Sequence, residues 1–517
     1  MNNKYKTEII EFFKDCINKK ISKQQFENKK VEFSKKYKLK KLILTSDVFM
    51  AFGISKPPEF LITKPSRTLS GVTIVAIMTR PGDCPGNCIY CPNWTNAPRS
   101  YTGFEPAALR AKRNNFDARK QISDRLKQLK NTGHPINKIE LIVMGGTFPA
   151  TPVAYQNEFV KNIYQEITNS KEEDLLKLKK KAMTSKNRII GITFETRPDF
   201  CDKETIERLL DFGGTRVEIG AQIINDKVLA EINRGHKVDA TIKATQELKD
   251  AGFKVLYHVM LNLPGSDYKK DLESFKEIFT NPLFKPDMIK IYPCLVTSGT
   301  KLEKMYYAKK YIPYGLEKTI KLIADIKEMT PPWVRIMRIQ RDIPADKIIA
   351  GITRSNLRQL VEEELKKRGT KCNCIRCSEP KGKIKTIKGY KLDVIEYDAQ
   401  NGKEYFISAL KEKYLLGFIR LRFPFKPFVK AIDANTSIVR ELHVYGQTTN
   451  FEEQNIQHRG IGKSLLKKAE EISIKYKFNK IAVISGVGVR EYYKKQGYKL
   501  IEPYMIKELK KEKNERK

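Results

Sequence analysis

Six short apolar runs, separated by charged amphipathic stretches, set the strongest limit on how this chain can fold. The runs lie at 72–78, 139–144, 189–195, 217–219, 255–261 and 288–292, and the main amphipathic segments at 107–130, 203–212, 240–251 and 271–280. Runs this short, rich in Val and Ile, read as strands covered on both faces. Repeated strand–helix units build a parallel sheet or barrel. The expected class is α/β: a partial (β/α)6 barrel over 46–330, with its functional face at the C-terminal ends of the strands. Residues 1–45 read as a basic helical segment, 331–389 as a connector and 390–517 as a separate small α/β domain.

Directly after the first run comes Asp83-Cys84-Pro85-Gly86-Asn87-Cys88-Ile89-Tyr90-Cys91-Pro92. Its C-x3-C-x2-C spacing offers three thiolates from one loop and no fourth. A closed zinc site takes four ligands, and so does a fully protein-held four-iron cluster. A cluster held by Cys84, Cys88 and Cys91 leaves one iron open to a cofactor or substrate. A zinc site with a distant fourth ligand is the competing reading, because thiolates suit both metals. Tyr90, one position before the last cysteine, places an aromatic ring next to that open position. A second group, Cys372, Cys374 and Cys377, sits among Lys371, Arg376 and Lys381 and reads as structural zinc with no recognisable fourth ligand, free thiols being the alternative.

Six of the nine cysteines fall in these two clusters, which does not suit a disulfide framework. The N-terminus lacks the apolar core of a secretory signal, and no run is long enough to span a bilayer. The expectation is a cytoplasmic protein without a membrane partner. Its net charge of +38 points to a polyanion, and nucleic acid is the obvious one. A lysine-rich genome would also raise the count, but the excess is uneven. Lys14, Lys19, Lys20, Lys23, Lys29, Lys30, Lys35, Lys36, Lys38, Lys40 and Lys41 crowd a segment whose apolar residues recur at helical spacing.

Further motifs sit where this architecture gives them meaning. Gly145-Gly146-Thr147 follows the second run and Glu195-Thr196-Arg197-Pro198-Asp199 ends the third. Alone, these are a turn and a salt bridge. Near the C-terminus, Gln457-His458-Arg459-Gly460-Ile461-Gly462-Lys463 leads into an amphipathic helix, so unpaired backbone N–H groups can face a phosphate. An apolar strand containing Glu441, Leu442, His443 and Val444 precedes it, and Tyr492-Tyr493 follows a further strand at 481–485.

The cysteine loop after a strand resembles the signature of radical S-adenosylmethionine enzymes, and the Gln-x2-Gly-x-Gly turn resembles the pyrophosphate loop of GNAT acetyltransferases. Together, from about Lys64 to Lys507, the chain resembles the family of Elongator catalytic subunits in an archaeal-type single chain. The matching stretches include Ser100-Tyr101-Thr102-Gly103-Phe104-Glu105-Pro106, Val143-Met144-Gly145-Gly146-Thr147-Phe148, Glu441-Leu442-His443-Val444-Tyr445-Gly446 and Ser485-Gly486-Val487-Gly488. Pro92-Asn93-Trp94 departs from the family's usual Pro-Gly-Gly.

The resemblance implies a [4Fe–4S] cluster on Cys84, Cys88 and Cys91, with S-adenosylmethionine near Gly145, Gly146, Glu195 and Arg197 as the source of a 5′-deoxyadenosyl radical. It implies acetyl-CoA contacts at Lys138, Glu441, Leu442, His443, Val444, Gln457, Gly460, Ile461, Gly462, Lys463 and Tyr493, with Tyr492, Tyr493 and Lys138 as the groups acting on the acyl end. The implied reaction carboxymethylates carbon five of the wobble uridine in the tRNA anticodon, with other Elongator-type subunits or a second copy as possible partners. A protein lysine acetyltransferase with a purely structural barrel is the alternative.

Overall fold

The computed structural model of the chain describes residues 5–19, 21–54, 57–64, 68, 70–82, 84–381, 384, 389–445 and 460–509. Lys20, Asp83, Gly446, Gln457, His458, Arg459 and the charged tail from 510 lie outside the described residues.

All six expected strands form: β1 (Thr73–Met78), β2 (Lys138–Met144), β3 (Arg188–Thr196), β4 (Gly214–Gln222), β5 (Lys254–Leu261) and β6 (Met288–Pro293). They pair in parallel and in sequence order, as βαβ crossovers require. A seventh strand, Arg335–Arg338, adds to β6 through Met288↔Arg335 and Ile289↔Ile336. The sheet therefore continues past 330, where the sequence reading ended the barrel. Only Ile336 of this strand is buried, so it carries almost no apolar period. The helical stretch at 107–130 is two helices, Pro106–Arg113 and Ala118–Asn131, the second capped by Asp117.

The basic segment is a three-helix unit: α1 (Lys6–Asn18), α2 (Lys23–Lys36) and α3 (Thr45–Phe52). Phe13, Phe26, Phe33, Val48, Phe60 and Leu61 share its core, which carries the unit beyond residue 45. Lysines 14, 19, 23, 29, 35, 36, 38, 40 and 41 are exposed. Lys30 is not; it is buried with its ammonium on Glu27 and Thr45.

The C-terminal domain is a second seven-stranded sheet, mostly antiparallel, running from Lys391–Ala399 to Lys499–Ile501 with the helix Ile461–Lys475 on one face. Its other face closes the end of the half-barrel where the strands begin. Ile438, Ala482, Ile484, Val487 and Tyr504 pack into the same core as Phe194, Phe212 and Phe253. Gly486 is glycine because a Cβ there would collide with the carbonyl of Ile190 in β3. No described helix is long and apolar enough to cross a membrane.

Candidate active site

The cysteine loop follows β1 at the C-terminal mouth of the half-barrel. Cys84 Sγ lies 3.6 Å from the Thr147 hydroxyl, and Arg234 Nη1 donates to Cys88 Sγ at 3.6 Å. Burial and the neighbouring Cys88 push the Cys91 thiol up to about 12. Arg197 holds Asp199 at 2.9 and 2.7 Å, yet its Nη1 is buried without a hydrogen bond and meets the space where a Cβ of Gly86 would stand. Gly145, at φ +133°, leaves room for the Thr79 hydroxyl, which is also buried without a hydrogen bond. Three soft donors, an unused guanidinium N–H and a side-chain-free cradle fit an iron–sulfur cluster with an anionic ligand beside it. One tetrahedral ion with bonds of about 2.3 Å would hold its sulfurs within about 4 Å of each other. Cys84, Cys88 and Cys91 do not form such a closed group among the described residues. Tyr90 is packed beneath the loop with Ile232, Met260 and Leu302.

Below the loop, charged side chains run down the barrel interior. Tyr101 donates to Glu195 at 2.5 Å, Lys290 lies 3.7 Å from Glu195 and pairs with Glu218, and His258 Nε2 is 2.7 Å from Glu218. Arg216 continues the line, 3.4 Å from Glu218 and 2.5 Å from Glu140. The ligand atoms of Glu195, Glu218 and His258 converge as they would around a cation, and Lys290 supplies that cation. Burial opposes the charge of Lys290, but Glu218, Tyr292 and Glu195 together outweigh it and hold the ammonium above its ordinary value. Glu195 and Arg197 thus face different partners: one the lumen, the other the cysteine loop.

A cavity of about 1780 Å³ joins this interior to the C-terminal domain. Arg216, Lys254 and Lys290 line it from the barrel, and Glu441, His443 and Tyr493 from the other side. Arg338, Arg341, Arg358, Arg376 and Lys381 also line it, a strongly basic wall. Arg341 further borders the small hollow beside Tyr90 and Pro92, so it stands between cavity and cysteine loop.

The strand Thr436–Val444 is built to receive an extended ligand. It pairs with Tyr414–Phe423 along its length, but its parallel pairing with Lys480–Val483 stops at Val439. From Arg440 to His443 that second edge has no ladder partner among the described residues. A bulge opposite Arg420/Leu421 turns both Arg440 and Glu441 toward the barrel. Arg440 is consumed there by Asp287 (2.7 Å twice) and Glu404 (2.6 Å), while Glu441 faces the cavity and accepts from Arg420 at 2.9 Å. The His443 ring lies 4.4 Å from that of Tyr445, and burial lowers its pKa. Leu442 packs inward on the domain's core, which Val444 also flanks.

Gly460, at φ +94°, precedes the helix Ile461–Lys475 with open space where its Cβ would be. Ile461 is buried, Lys463 exposed, and Gly462 sits under the Tyr492 hydroxyl. Burial raises both phenols, and the Tyr492 and Tyr493 rings lie 5.1 Å apart. Lys138 opens β2 opposite Arg188, its pKa lowered by burial and by that guanidinium, and it does not line the cavity. Sequence reasoning missed Arg216, Glu218, His258, Lys290, Arg338, Arg341 and Arg358, and it named Arg376 and Lys381 only as neighbours of the second cysteine group. The available signal was a charge inside an apolar run, as in Met288-Ile289-Lys290-Ile291-Tyr292.

Cys372, Cys374 and Cys377 do converge, their sulfurs all within 4.8 Å of one another. Thiol hydrogen bonds from Cys372 and Cys377 hold Cys374 well below its ordinary pKa. The Ile375 amide donates to Val334 at 3.0 Å, so this group is fastened to the base of the last barrel strand.

Comparison with known proteins agrees with this division. The radical SAM superfamily model matches 79–278, the Radical_SAM C-terminal domain model 286–367, and the acetyltransferase (GNAT) family model 376–498. The chain is 45% identical to a tRNA uridine(34) acetyltransferase of Methanocaldococcus jannaschii over 97% of both chains. It is 38% identical to human Elongator complex protein 3 over 88% of both. The solved structure of Methanocaldococcus infernus Elp3 with its N-terminal residues 1–46 deleted is 43% identical, with a TM-score of 0.77 over 86% of this chain and 100% of that one.

Proposed function

The chain belongs to the radical SAM and GNAT family that contains the tRNA uridine(34) acetyltransferases and Elongator complex protein 3, and from that membership we propose that it modifies the wobble uridine of tRNA as an acyltransferase. The finer reading is carboxymethylation at carbon five with acetyl-CoA as the carbon source. The observation that carries it is the single cavity bordered both by the barrel interior and by Glu441, His443 and Tyr493. A reaction using both domains needs one chamber where the base and the acyl end can meet.

Cys84, Cys88 and Cys91 would hold the cluster, with Arg197 and the Gly145-Gly146 turn beside S-adenosylmethionine. Bound there, the pair would supply one-electron chemistry able to remove hydrogen from an unactivated carbon. The other roles belong to this chain's own residues. The open strand edge at 440–443 offers backbone groups to a pantetheine arm, and the turn at Gly460 offers N–H groups to the pyrophosphate. Tyr493, kept protonated by burial, can donate a hydrogen bond to the acyl sulfur or carbonyl. The arginine wall would hold phosphates while the base enters, and the three-helix unit would grip more of the tRNA backbone. Cys372, Cys374 and Cys377 would carry a structural zinc ion, which metal analysis of Cys374→Ser tests.

Anaerobic incubation with tRNA, acetyl-CoA, S-adenosylmethionine and reductant, followed by nucleoside mass spectrometry, tests the whole reading. Carboxymethyluridine at the wobble position supports it. Full acyl transfer to protein lysines by cluster-free chain, with unmodified tRNA, would favour the lysine acetyltransferase instead.

A further inference from the structure

The two most exposed large apolar side chains among the described residues are Ile312, at 77%, and Tyr307, at 67%. Both belong to the helix Lys301–Tyr307 and the loop after it. Their neighbours Lys301, Lys304, Lys309 and Lys310 are exposed too. The one acid of the segment, Glu303, is turned back to accept from the Gly299 amide at 2.8 Å. The segment is also firmly seated. Leu302 donates its amide to the carbonyl of Ile89 in the cysteine loop at 2.9 Å and is buried with Ile89 and Tyr90. Tyr311 is buried and donates to the Asn262 carbonyl at 2.8 Å, and the Lys310 amide to Met305 at 2.8 Å. Tyr307 and Ile312 therefore stand outward on a fixed base, whose Leu302 touches the loop that carries Cys88 and Cys91.

We propose that this segment is a docking platform for a single-stranded RNA loop, with a base stacking on Tyr307, apolar contact at Ile312 and phosphates meeting Lys301, Lys304, Lys309 and Lys310. The proposal rests on the tRNA reading above and says which surface takes the loop. Tyr307 and Ile312 lie five residues apart in one run with four exposed lysines, and this mixture of apolar and basic side chains is what marks the segment as a contact surface. Lysines are depleted at the core of protein interfaces, whereas an aromatic face among ammonium groups is the pattern that holds unpaired nucleotides. The platform adjoins the cysteine loop at the mouth opposite the C-terminal domain, where an incoming loop is not obstructed by that domain.

The test uses the full chain and fluorescence anisotropy with an anticodon stem–loop RNA and, separately, a blunt duplex of the same stem. Tyr307→Ala should weaken stem–loop binding on the order of tenfold while Tyr307→Phe stays close to wild type, because one base-stacking face is lost or kept. Duplex binding should not change. Lys304→Ala with Lys310→Ala should lower the slope of log affinity against log salt by about 1.4, at roughly 0.7 per phosphate contact on a single strand. Wild-type affinity and slope in both variants would overturn the platform while leaving the tRNA reading intact. The same holds if Tyr307→Ala abolishes self-association and leaves RNA binding unchanged. A wild-type chain that binds neither stem–loop nor tRNA would overturn the tRNA reading, and the platform with it.

Discussion

Individual residues decide what the two half-sites can hold. Cys84, Cys88 and Cys91 offer three thiolates with Arg234 and Thr147 against two of them, and replacing all three with Ala should remove the iron from anaerobically reconstituted protein. Iron and sulfide analysis checks this, and retained cluster absorbance would place the metal elsewhere. Gly460 has room for a side chain but a backbone conformation that β-branched residues avoid. Gly460→Val should therefore weaken acetyl-CoA binding by tenfold or more in calorimetry, with tRNA affinity unchanged. Both sites were legible in the sequence, because the spacing of their residues carries the chemistry. Glu195 was legible as a charge at a strand end and, through the resemblance, as a cofactor contact. That its carboxylate turns to Tyr101 and Lys290 depends on residues 94 positions before it and 95 after it, and no local pattern encodes such a contact.

At the scale of elements, the period of apolar residues located every barrel strand but the last. Arg335–Arg338 escaped because a strand at the edge of a half-barrel, beside a wet cavity, needs little apolar surface. The helix Thr45–Phe52 lies beyond the basic helical segment that the sequence marked at 1–45, and it escaped for a related reason, since Val48 and Ala51 bury against α1 and α2 rather than repeat along one long stripe. The exposed lysines in and just beyond α1 and α2 invite a quantitative test. Changing Lys19, Lys23, Lys35 and Lys40 to Gln should lower the salt slope of tRNA binding by about 3 if most of them touch phosphates, at roughly 0.9 per contact on a duplex. Acetyl-CoA affinity should stay as it was. An unchanged slope would make this a solvated face and leave tRNA affinity to the arginine wall.

Across the whole molecule, two domains that the sequence separates share one core and one ionic network. Asp287 from the barrel receives Arg440 and Arg420 from the C-terminal sheet, and Glu404 receives Arg440, Arg422 and Lys249, nearly all fully buried. Burial opposes the charge on Asp287 and Glu404, yet Arg440 and Lys249 outweigh it and hold both carboxyls below their ordinary values. A depressed folded pKa contributes stability that is present above the unfolded value, near 4, and is lost as pH falls through the folded one. Urea titrations should thus show the network's contribution at pH 7 fading below about pH 4. Asp287→Asn leaves buried guanidinium groups uncompensated and should cost about 3–5 kcal/mol at pH 7, with a shallower loss in acid than wild type. This rigid seam is what keeps the open edge of Arg440–His443 over the barrel interior. The central claim is that both domains act on one substrate pool in one chamber. The most direct measurement is anaerobic turnover with tRNA and acetyl-CoA deuterated at its methyl group, followed by mass spectrometry of the 5′-deoxyadenosine released. Deuterium in that product, together with a deuterated carboxymethyl group on uridine, is the predicted result. Modified uridine accompanied by deuterium-free 5′-deoxyadenosine would contradict it.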